Sequence, residues 1–377
     1  MDKINRHSQF PLQDDIVYFN HAAVSPWPLC AVEAIEDFSR QNLVSGSKNY
    51  LKWMETEQNL REMMQWLINA ESSDDIALLK NTSEGLSVIA YGIDWQAGDN
   101  VVIPASEFPS NRIVWESLRQ FDVEIRQIDI YDCTDPEAEL LNACDDKTRV
   151  LSVSAVQYAD GFRLDLAKIG GQFREKCGYF VVDAIQQLGA LKFDNQQIQA
   201  DFIIADGHKW MMGPEGLALF YSHPKARESL ILRQYGWRMI ENPADFSQTT
   251  WKVAKSAKRF ECGSPNMLAI AALHASLGLI RQLGIENIQE IILSNTNKLM
   301  NYIDNNENYI LLTSADPKRL SGIVCFRHKR IENADLFAQL TRMGIQCAER
   351  GGGVRLSPHF YHTNYDFNHM FSILDGI

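Results

Sequence analysis

Largely apolar runs alternate with segments of helical periodicity along this chain, and this alternation constrains its fold more than any other feature. The apolar runs of strand length lie at 76–79, 101–103, 150–156, 179–182, 202–205 and 217–221. Apolar residues at helical spacing lie between them, at 59–69, 86–93, 110–120 and 165–177. Strands without polar alternation are typical of parallel sheets that helices cover on both faces. The sequence therefore predicts an α/β fold with a mostly parallel sheet.

The length of 377 residues and a change of pattern near residue 265 predict two domains. Residues 46–265 hold the apolar runs and form the expected large domain, which ends in an irregular, polar connection over 224–265. Residues 266–377 mix helices with short strands such as 322–326, as in a smaller α+β domain. We expect residues 1–45 to form an N-terminal segment that packs on the small domain or on a partner.

The charge balance and the cysteines limit the classes of partner and compartment. The chain has 36 basic and 48 acidic residues and a net charge of -12, which disfavours nucleic acid or an anionic membrane as the main partner. Residues 1–7 lack the apolar core of a signal peptide, and no apolar stretch is long enough to span a bilayer. The cysteines form no Cys-x-x-Cys pair, which argues against disulfides or a thiolate metal site. We expect a cytoplasmic protein without a metal centre.

Polar side chains of chemical interest follow three of the predicted strands. Thr82 and Ser83 come directly after 76–79, and Asp183 ends the strand at 179–182. His208 and Lys209 come after 202–205. Because ligands of parallel sheets bind beyond the carboxyl ends of the strands, we expect these side chains to surround one ligand.

The pair His208-Lys209 lies in a turn, Asp206-Gly207-His208-Lys209-Trp210, and has two interpretations. An isolated His-Lys pair is most often a solvated turn. A lysine that is buried at a strand end is partly neutral, and such lysines form Schiff bases with carbonyl cofactors. Lys209 is therefore a candidate cofactor anchor, and His208 could donate to a phosphate group of the same cofactor.

The other strand-end residues also allow a structural and a functional interpretation. A buried Asp183 could hold a turn, or it could keep the ring nitrogen of pyridoxal 5'-phosphate protonated, so that the ring becomes an electron sink. Gln186, one helical turn later, is either a surface residue or a donor to the cofactor's ring hydroxyl. Thr82 and Ser83 either cap a helix or bind a phosphate through free amides and the helix dipole.

Two stretches carry a family resemblance, namely 181–190 (VVDAIQQLGA) and 205–216 (ADGHKWMMGPEG). Both closely resemble the class V aminotransferases, a group of fold-type I pyridoxal-phosphate enzymes that includes cysteine desulfurases, kynureninases and isopenicillin N epimerase. The pattern is nearest to the isopenicillin N epimerase-like branch. Further segments match in the same order, so the resemblance covers nearly the whole chain; they are 18–23, 81–85, 259–266 and 351–358. It implies a fold-type I large domain with a smaller α+β C-terminal domain.

The resemblance implies roles for the residues that match at the cofactor ring. Lys209 would carry pyridoxal 5'-phosphate as a Schiff base and then act as the general base at the substrate's α-carbon. Asp183 would face the pyridine nitrogen and Gln186 the ring hydroxyl. Phe108 would stack on the ring, at a position where desulfurases have a histidine.

The resemblance also implies a phosphate site that two subunits share. Ser83, His208 and the backbone of Thr82 would hold the phosphate. Ser264 would reach the phosphate of the neighbouring subunit, which implies a homodimer with shared active sites. Asp206 stands where the family often has a phosphate-binding serine, and because an ionised carboxylate repels phosphate, we expect Asp206 to point elsewhere.

At the substrate, the resemblance implies that Arg355 binds the carboxylate, a task that suits its two-pronged donor geometry. A surface salt bridge is the alternative for Arg355. Asn20 and Ala22, in the N-terminal segment, and Tyr158, at the end of another strand, are the other expected substrate-binding residues. Cys347 lies too early, in a predicted strand, to match the mobile reactive cysteine of desulfurases.

We predict an enzyme that acts on an amino acid, most simply an aminotransferase that passes the amino group to a keto acid. A C–S or C–C lyase or an amino-acid epimerase of the same family is the alternative, and persulfide-forming desulfurase activity is least expected because of Phe108 and Cys347. A non-catalytic scaffold of the same fold is disfavoured because Lys209 and Asp183 are both present. A dinucleotide-binding dehydrogenase is excluded by the lack of a Gly-x-Gly-x-x-Gly after an early strand.

Overall fold

The computed structural model describes residues 6–174 and 178–377. Its strands are β1 (Val17–Tyr18), β2 (Ile76–Leu79), β3 (Asn100–Pro104), β4 (Glu124–Ile128), β5 (Thr148–Ser154), β6 (Tyr179–Asp183), β7 (Phe202–Asp206), β8 (Ala218–Ser222), β9 (Tyr309–Leu311), β10 (Val324–His328), β11 (Ile345–Gln346), β12 (Ala348–Arg350) and β13 (Gly353–Leu356). Its α-helices are α1 (Arg6–Gln9), α2 (Leu29–Ser45), α3 (Tyr50–Ile68), α4 (Thr82–Gly92), α5 (Ser110–Glu116), α6 (Pro136–Asn142), α7 (Leu166–Phe173), α8 (Asn195–Ile198), α9 (Pro224–Ser229), α10 (Met267–Leu283), α11 (Ile285–Asp304), α12 (Asn333–Arg342) and α13 (Asn364–Asp375).

The main sheet has seven strands in the order β2-β8-β7-β6-β5-β3-β4. Neighbouring strands from β7 to β4 pair in parallel, and β8 runs antiparallel to β2 and β7. The predicted α/β fold with a mostly parallel sheet is therefore confirmed. Alternate residues of the strands enter two separate cores, one on each face. Val182 and Ile203 lie in the first core, and Val181 and Ile204 lie in the second.

Strand β4 was not among the predicted strands, and its place in the sheet explains why. It is the edge strand beside β3, and all of its residues are exposed or only partly buried. Glu124, Arg126 and Gln127 give it a polar composition, as is usual for edge strands. Helix α7 ends at Phe173, and the last predicted positions of that helix, 175–177, lie outside the described residues.

The second half of the chain adds a four-stranded antiparallel sheet, β12-β13-β10-β9. The N-terminal segment contacts this half of the chain, because β1 and β11 form a separate parallel two-stranded sheet and Asn20 forms an isolated bridge with Ser357. Helix α2 packs against α10 and helix α10 against α3. The domain limits at residues 45 and 265 stay a prediction.

Among the described residues, no single helix has the length and apolar character needed to cross a membrane. Helices α10 and α11 meet these criteria only as a pair, and the pair is bent by 83° at its break.

Candidate active site

The carboxyl ends of β5, β6 and β7 bring the predicted strand-end residues together. Asp183 is the last residue of β6 and lies in register with Ser154, the last residue of β5. Strand β7 ends at Asp206, and Lys209 follows in the next turn. Asp183 is in register with Ile204 of β7, two residues before Asp206, so Asp183, Asp206 and the turn that carries Lys209 lie at the same edge of the sheet.

Lys209 is buried rather than solvated, with a relative exposure of 8%. Its amine Nζ lies 5.4 Å from the centroid of the Phe108 ring. Burial lowers the pKa of Lys209 to about 8; Asp183 opposes this shift, and Arg355 adds to it. Much of the amine is therefore neutral near pH 8, and a neutral amine can attack a carbonyl or accept a proton.

Asp183 is buried next to this lysine. Its Oδ1 accepts a hydrogen bond of 3.0 Å from the backbone N–H of Ile185. Burial raises the pKa of Asp183 to about 6, while the Ile185 amide and Lys209 hold it down. Asp183 thus carries a negative charge at neutral pH, as a partner for a protonated ring nitrogen must.

The start of helix α4 offers polar groups that face the same strand ends. The side chain of Asn81 caps the helix by accepting from the backbone N–H of Glu84 at 2.9 Å. The hydroxyl Oγ1 of Thr82 is buried and has no hydrogen-bond partner among the described residues. The backbone N–H of Thr82 donates to Asp206 Oδ1 at 2.9 Å.

The expectation that Asp206 points away from the phosphate segment is therefore wrong. Its carboxyl group contacts the first helical amide of α4, because a helix N-terminus attracts a carboxyl group as well as a phosphate. Burial and the charge of Asp183 raise the pKa of Asp206 to about 7. His208 Nδ1 lies 3.7 Å from Asp206 Oδ2, and burial together with Lys209 lowers the pKa of His208 to about 4.

Ser83 and Ser264 lie on the outer side of this helix start. Ser83 is exposed, and its hydroxyl donates to Ser110 Oγ at 2.8 Å. It lines a groove of about 660 Å³ together with Arg259 and Cys262. Ser264, two residues beyond Cys262, is exposed as well. Within the described part of one chain, Ser264 is thus at the surface and not in the buried group around Lys209.

The side chain of Gln186 is buried and joins two segments. Its Nε2 donates to the carbonyl oxygen of Ala22 at 3.0 Å, and its Oε1 accepts from Trp210 Nε1 at 2.8 Å. The simple surface interpretation of Gln186 is therefore wrong. Since an amide nitrogen has two hydrogens, Gln186 keeps one for the ring hydroxyl of a cofactor.

Arg355 is buried on β13 rather than paired at the surface. One terminal nitrogen donates to the carbonyl oxygen of Tyr158 at 2.6 Å. Its Nε is buried and has no hydrogen-bond partner among the described residues. Burial and the nearby Arg350 lower the pKa of Arg355 to about 10, so it stays charged at neutral pH. Open donors on a buried cation are what an anionic ligand requires.

The remaining predicted substrate residues surround the same region. Asn20 Oδ1 is buried and also without a hydrogen-bond partner among the described residues. Ala22 is buried, and its backbone N–H donates at 2.9 Å to the hydroxyl of Ser357, which lies two residues after Arg355. The rings of Tyr158 and Phe108 meet edge to face, with centroids 5.1 Å apart.

Two contributors were missed because their sequence context carries no signal. Ser25 donates its backbone N–H to the carbonyl of His208 at 2.9 Å and its hydroxyl to the carbonyl of Lys209. Glu107, directly before Phe108, is buried and accepts from the backbone N–H of Ser154 at 2.6 Å. Burial raises the pKa of Glu107 to about 7.

Cys347 lies in the core of the C-terminal sheet, among apolar side chains such as Phe19 and Leu356. Its relative exposure is 6%, and burial raises the pKa of its thiol to about 12. A neutral, buried thiol is a poor nucleophile. Cys347 therefore packs in the core and is not placed on a mobile loop.

The buried polar atoms without partners fit pyridoxal phosphate. A neutral lysine can bind the aldehyde carbon, and an ionised Asp183 can pair with a pyridinium nitrogen. The open hydroxyl of Thr82 at a helix N-terminus suits the phosphate. The open Nε of Arg355 suits the carboxylate of an amino acid. A ring, a phosphate and a carboxylate thus each find complementary groups.

The comparisons with known proteins agree with this fit. Residues 17–370 match the family described as aminotransferase class V. A protein of Methanothermobacter thermautotrophicus named probable cysteine desulfurase is 30% identical over 97% of this chain and 96% of its own length. An uncharacterized aminotransferase of Bacillus subtilis, YcbU, is 27% identical over 89% of this chain and 87% of its own length.

Solved structures show the same fold. The cystine C-S lyase C-DES, in complex with its product cysteine persulfide, superimposes with a TM-score of 0.89 at 23% identity, over 97% of this chain and 99% of that chain. A C-DES mutant has glycine covalently linked to its pyridoxal-phosphate cofactor. By its family match and its site, the chain is a pyridoxal-phosphate-dependent enzyme that belongs to the class V aminotransferase family.

Proposed function

We propose that this enzyme cleaves the C–S bond of a sulfur-containing amino acid by β-elimination. The names of the relatives support cleavage over transamination, since the 30% identical relative that spans nearly the whole chain is named a probable cysteine desulfurase. The reaction balances as R–S–CH2–CH(NH3+)–COO− plus water giving R–SH, pyruvate and ammonium. It needs a base at the α-carbon, a carboxylate clamp and a path for the sulfur to leave.

The observation that carries the proposal is the proximity of Lys209 and Arg355. Lys209 Nζ lies 5.4 Å from the centroid of the Phe108 ring, and this ring contacts the ring of Tyr158. Arg355 donates to the Tyr158 carbonyl oxygen, so both cations border one space. An α-amino acid whose carboxylate is bound by Arg355 would present its α-carbon to the Lys209 amine. The lysine can then take the α-proton, because its pKa of about 8 leaves it partly neutral at neutral pH.

Each chain residue has a defined part in this proposal. Pyridoxal phosphate supplies, when bound, an electron sink for the charge that develops at the α-carbon. Asp183 holds a proton at the ring nitrogen, and Gln186 donates to the ring hydroxyl. Thr82, Ser83 and His208 hold the phosphate, and Phe108 stacks on the ring.

The cysteines favour release of the sulfur over its transfer to an enzyme thiol. Cys347 and Cys325 are buried, and burial raises the pKa of each thiol to about 12. Cys262 lies in the groove beside Ser83, and its pKa is also raised by burial. A sulfur acceptor must be a thiolate that can approach the substrate, and none of these three meets that requirement.

Transamination to a keto acid is the second candidate function. It uses the same Lys209, Asp183 and Arg355, but the β-substituent stays in place and the amino group passes to the keto acid. The name of the YcbU relative and the family description favour it. Epimerisation would need a second base on the opposite face, where Phe108 offers none.

A homodimer is part of this proposal. Ser264 is exposed in the loop that also places Cys262 beside Ser83, so the loop of one subunit could reach the phosphate region of the other. Tyr235, Trp237 and Trp251 are exposed in the neighbouring segment and would be covered by a partner. A cytoplasmic location is proposed on the cysteine pattern alone.

The test is to incubate the cofactor-loaded enzyme with cysteine, cystine and S-methylcysteine, with and without a keto acid. We expect pyruvate in equal amounts with sulfide from cysteine, methanethiol from S-methylcysteine and cysteine persulfide from cystine, independent of the keto acid. Lys209→Ala should abolish both products. Amino transfer that requires the keto acid, without sulfur release, would replace C–S cleavage by the second candidate.

A further inference from the structure

Asp206 contacts the first residue of helix α4, and this contact sets it apart from Asp183. Its Oδ1 accepts from the backbone N–H of Thr82 at 2.9 Å. Its Oδ2 faces His208 Nδ1 at 3.7 Å, too far for a hydrogen bond. Asp206 therefore lies between the two groups, Thr82 and His208, that would hold the phosphate.

The charged and polar groups that face Asp206 lie on several elements of the fold. Asp183 of β6 and Glu215 of the loop before β8 are negative and disfavour its ionisation. Lys209 and the amide of Thr82 favour it. His208 is neutral near pH 7, since its pKa is lowered to about 4, and gives Asp206 no ionic partner. Burial is the largest influence and also favours the neutral acid.

A bound phosphate ester adds up to two negative charges at this position. An ionised carboxylate and a phosphate dianion repel one another strongly where the dielectric is low. A protonated carboxyl group instead donates an O–H hydrogen bond to a phosphate oxygen. The choice between repulsion and donation depends on one proton on Oδ2, since Oδ1 is occupied by Thr82.

We propose that Asp206 is a positioning residue that couples cofactor binding to protonation. Binding of the phosphate takes up one proton from solvent onto Asp206 Oδ2, and the resulting O–H donates to the phosphate while Oδ1 keeps the Thr82 amide. The enzyme retains its cofactor less well as the pH rises above neutrality. The protonated carboxyl group donates an O–H hydrogen bond to the phosphate, as a serine hydroxyl would do at any pH.

The pH direction follows from the two states of the carboxyl group. The phosphate-bound form stabilises the protonated acid, so its pKa is higher in the complex than the value of about 7 in the free chain. Affinity is therefore unaffected well below pH 7 and falls between the free and bound pKa values, by up to about tenfold per pH unit.

The probe is 4-deoxypyridoxine 5'-phosphate, which lacks the aldehyde and so removes the pH dependence of bond formation to Lys209. Its dissociation constant is measured by fluorescence between pH 6 and 9 for the unmodified chain and for Asp206→Asn. We expect the unmodified chain to lose affinity above about pH 7 by up to about tenfold per pH unit relative to Asp206→Asn, which keeps a donor at all pH values.

Asp201→Asn is the matched control. Asp201 also accepts a backbone N–H, from Phe180 at 2.9 Å, and burial also raises its pKa. It precedes the opposite end of β7, so its substitution should leave the pH profile of affinity unchanged.

A second measurement needs no variant and covers the case in which Asp206→Asn does not fold. Calorimetry of probe binding at pH 8, in two buffers of different ionisation heat, should show uptake of about one proton. Parallel pH profiles for the unmodified chain and Asp206→Asn, or the absence of proton uptake, would overturn the proposal. The inference rests on the proposed cofactor site, but no amino acid is present, so its failure is independent of C–S cleavage.

Discussion

Ser25 holds the main chain of the active-site turn from outside, because its hydroxyl donates to the carbonyl oxygen of Lys209 and its backbone N–H to that of His208. Ser25 is itself buried. Lys209 is therefore positioned by a residue of the N-terminal segment, which is far from it in sequence. This arrangement fixes the base before any ligand arrives.

Ser25→Ala should release the cofactor faster. The substitution leaves the Lys209 carbonyl without its side-chain donor at a buried position, which costs about 1–3 kcal/mol. We expect the dissociation rate of pyridoxal phosphate, followed by visible absorption after dilution, to rise by about tenfold. Thr56→Ala removes an exposed hydroxyl that bonds within its own helix and should leave the rate unchanged. Equal rates in the two variants would show that Ser25 has no positioning role.

The loading of the cofactor-free chain should follow the ionisation of Lys209. Only the neutral amine attacks an aldehyde, and the pKa of Lys209 is about 8. With pyridoxal, which has no phosphate, the rate of band formation should rise by about tenfold per pH unit below pH 8 and level off above it. A rate that still rises up to pH 10 would show that the lysine is not shifted.

Arg355→Lys should weaken substrate binding rather than the cofactor site. Lysine keeps the charge but loses the two-pronged donor geometry, at a cost of about 2–5 kcal/mol. We expect KM for the amino acid to rise by at least about tenfold while the visible absorption of the bound cofactor stays the same. Arg327→Lys, on the exposed side of β10, is the control. An unchanged KM would assign the carboxylate to another residue.

Cys347→Ser should leave sulfur release intact. The thiol lies in an apolar core and is neutral at pH 7, since its pKa is raised to about 12. We expect the same initial rate of sulfide or thiol formation as in the unmodified chain, measured at matched protein concentration and cofactor content. A variant that folds but releases no sulfur would give Cys347 a chemical role.

A buried ionic network should dominate the stability of the connection after β8. Arg61 contacts Glu57 and Glu261, and Glu57 also contacts Arg238 at 2.9 Å. Arg61→Ala leaves the buried Glu261 without its arginine partner, so the free energy of unfolding in urea should fall by about 3–5 kcal/mol. Arg112→Ala breaks the more exposed pair Arg112–Glu116 and should cost about 1 kcal/mol or less in the same assay. A similar loss in both variants would contradict the network's importance.

The sequence alone was sufficient to predict the position of site residues that end or follow a buried strand. Asp183 and Lys209 were predictable because strand ends of a parallel sheet converge whatever the details of packing. The edge strand β4 was not, since its polar residues have no continuous apolar run. The contact of Asp206 with the Thr82 amide could not be predicted from the sequence either, because a carboxylate and a phosphate can both bind the same helix terminus.

Contacts between distant segments account for the rest. Gln186 contacts Ala22, and His21 contacts the carbonyl of Ser357 and the hydroxyl of Tyr361. Local sequence periodicity does not predict which residues far apart in sequence will be in contact. Such contacts decide which hydrogen-bonding groups stay open for a ligand, and they depend on the packing of the whole chain.

The segment around Asn20, Ala22 and Ser25 has a consequence for the order of assembly during synthesis. It contacts Gln186, Lys209 and Ser357, so its neighbours come from the middle and the end of the chain. The ribosome makes this segment before all of these partners, and Ser357 emerges well after Gln186 and Lys209. The nascent chain therefore completes its binding site only after Arg355 and Ser357 have been made, and capture of the vitamin-derived cofactor follows that step.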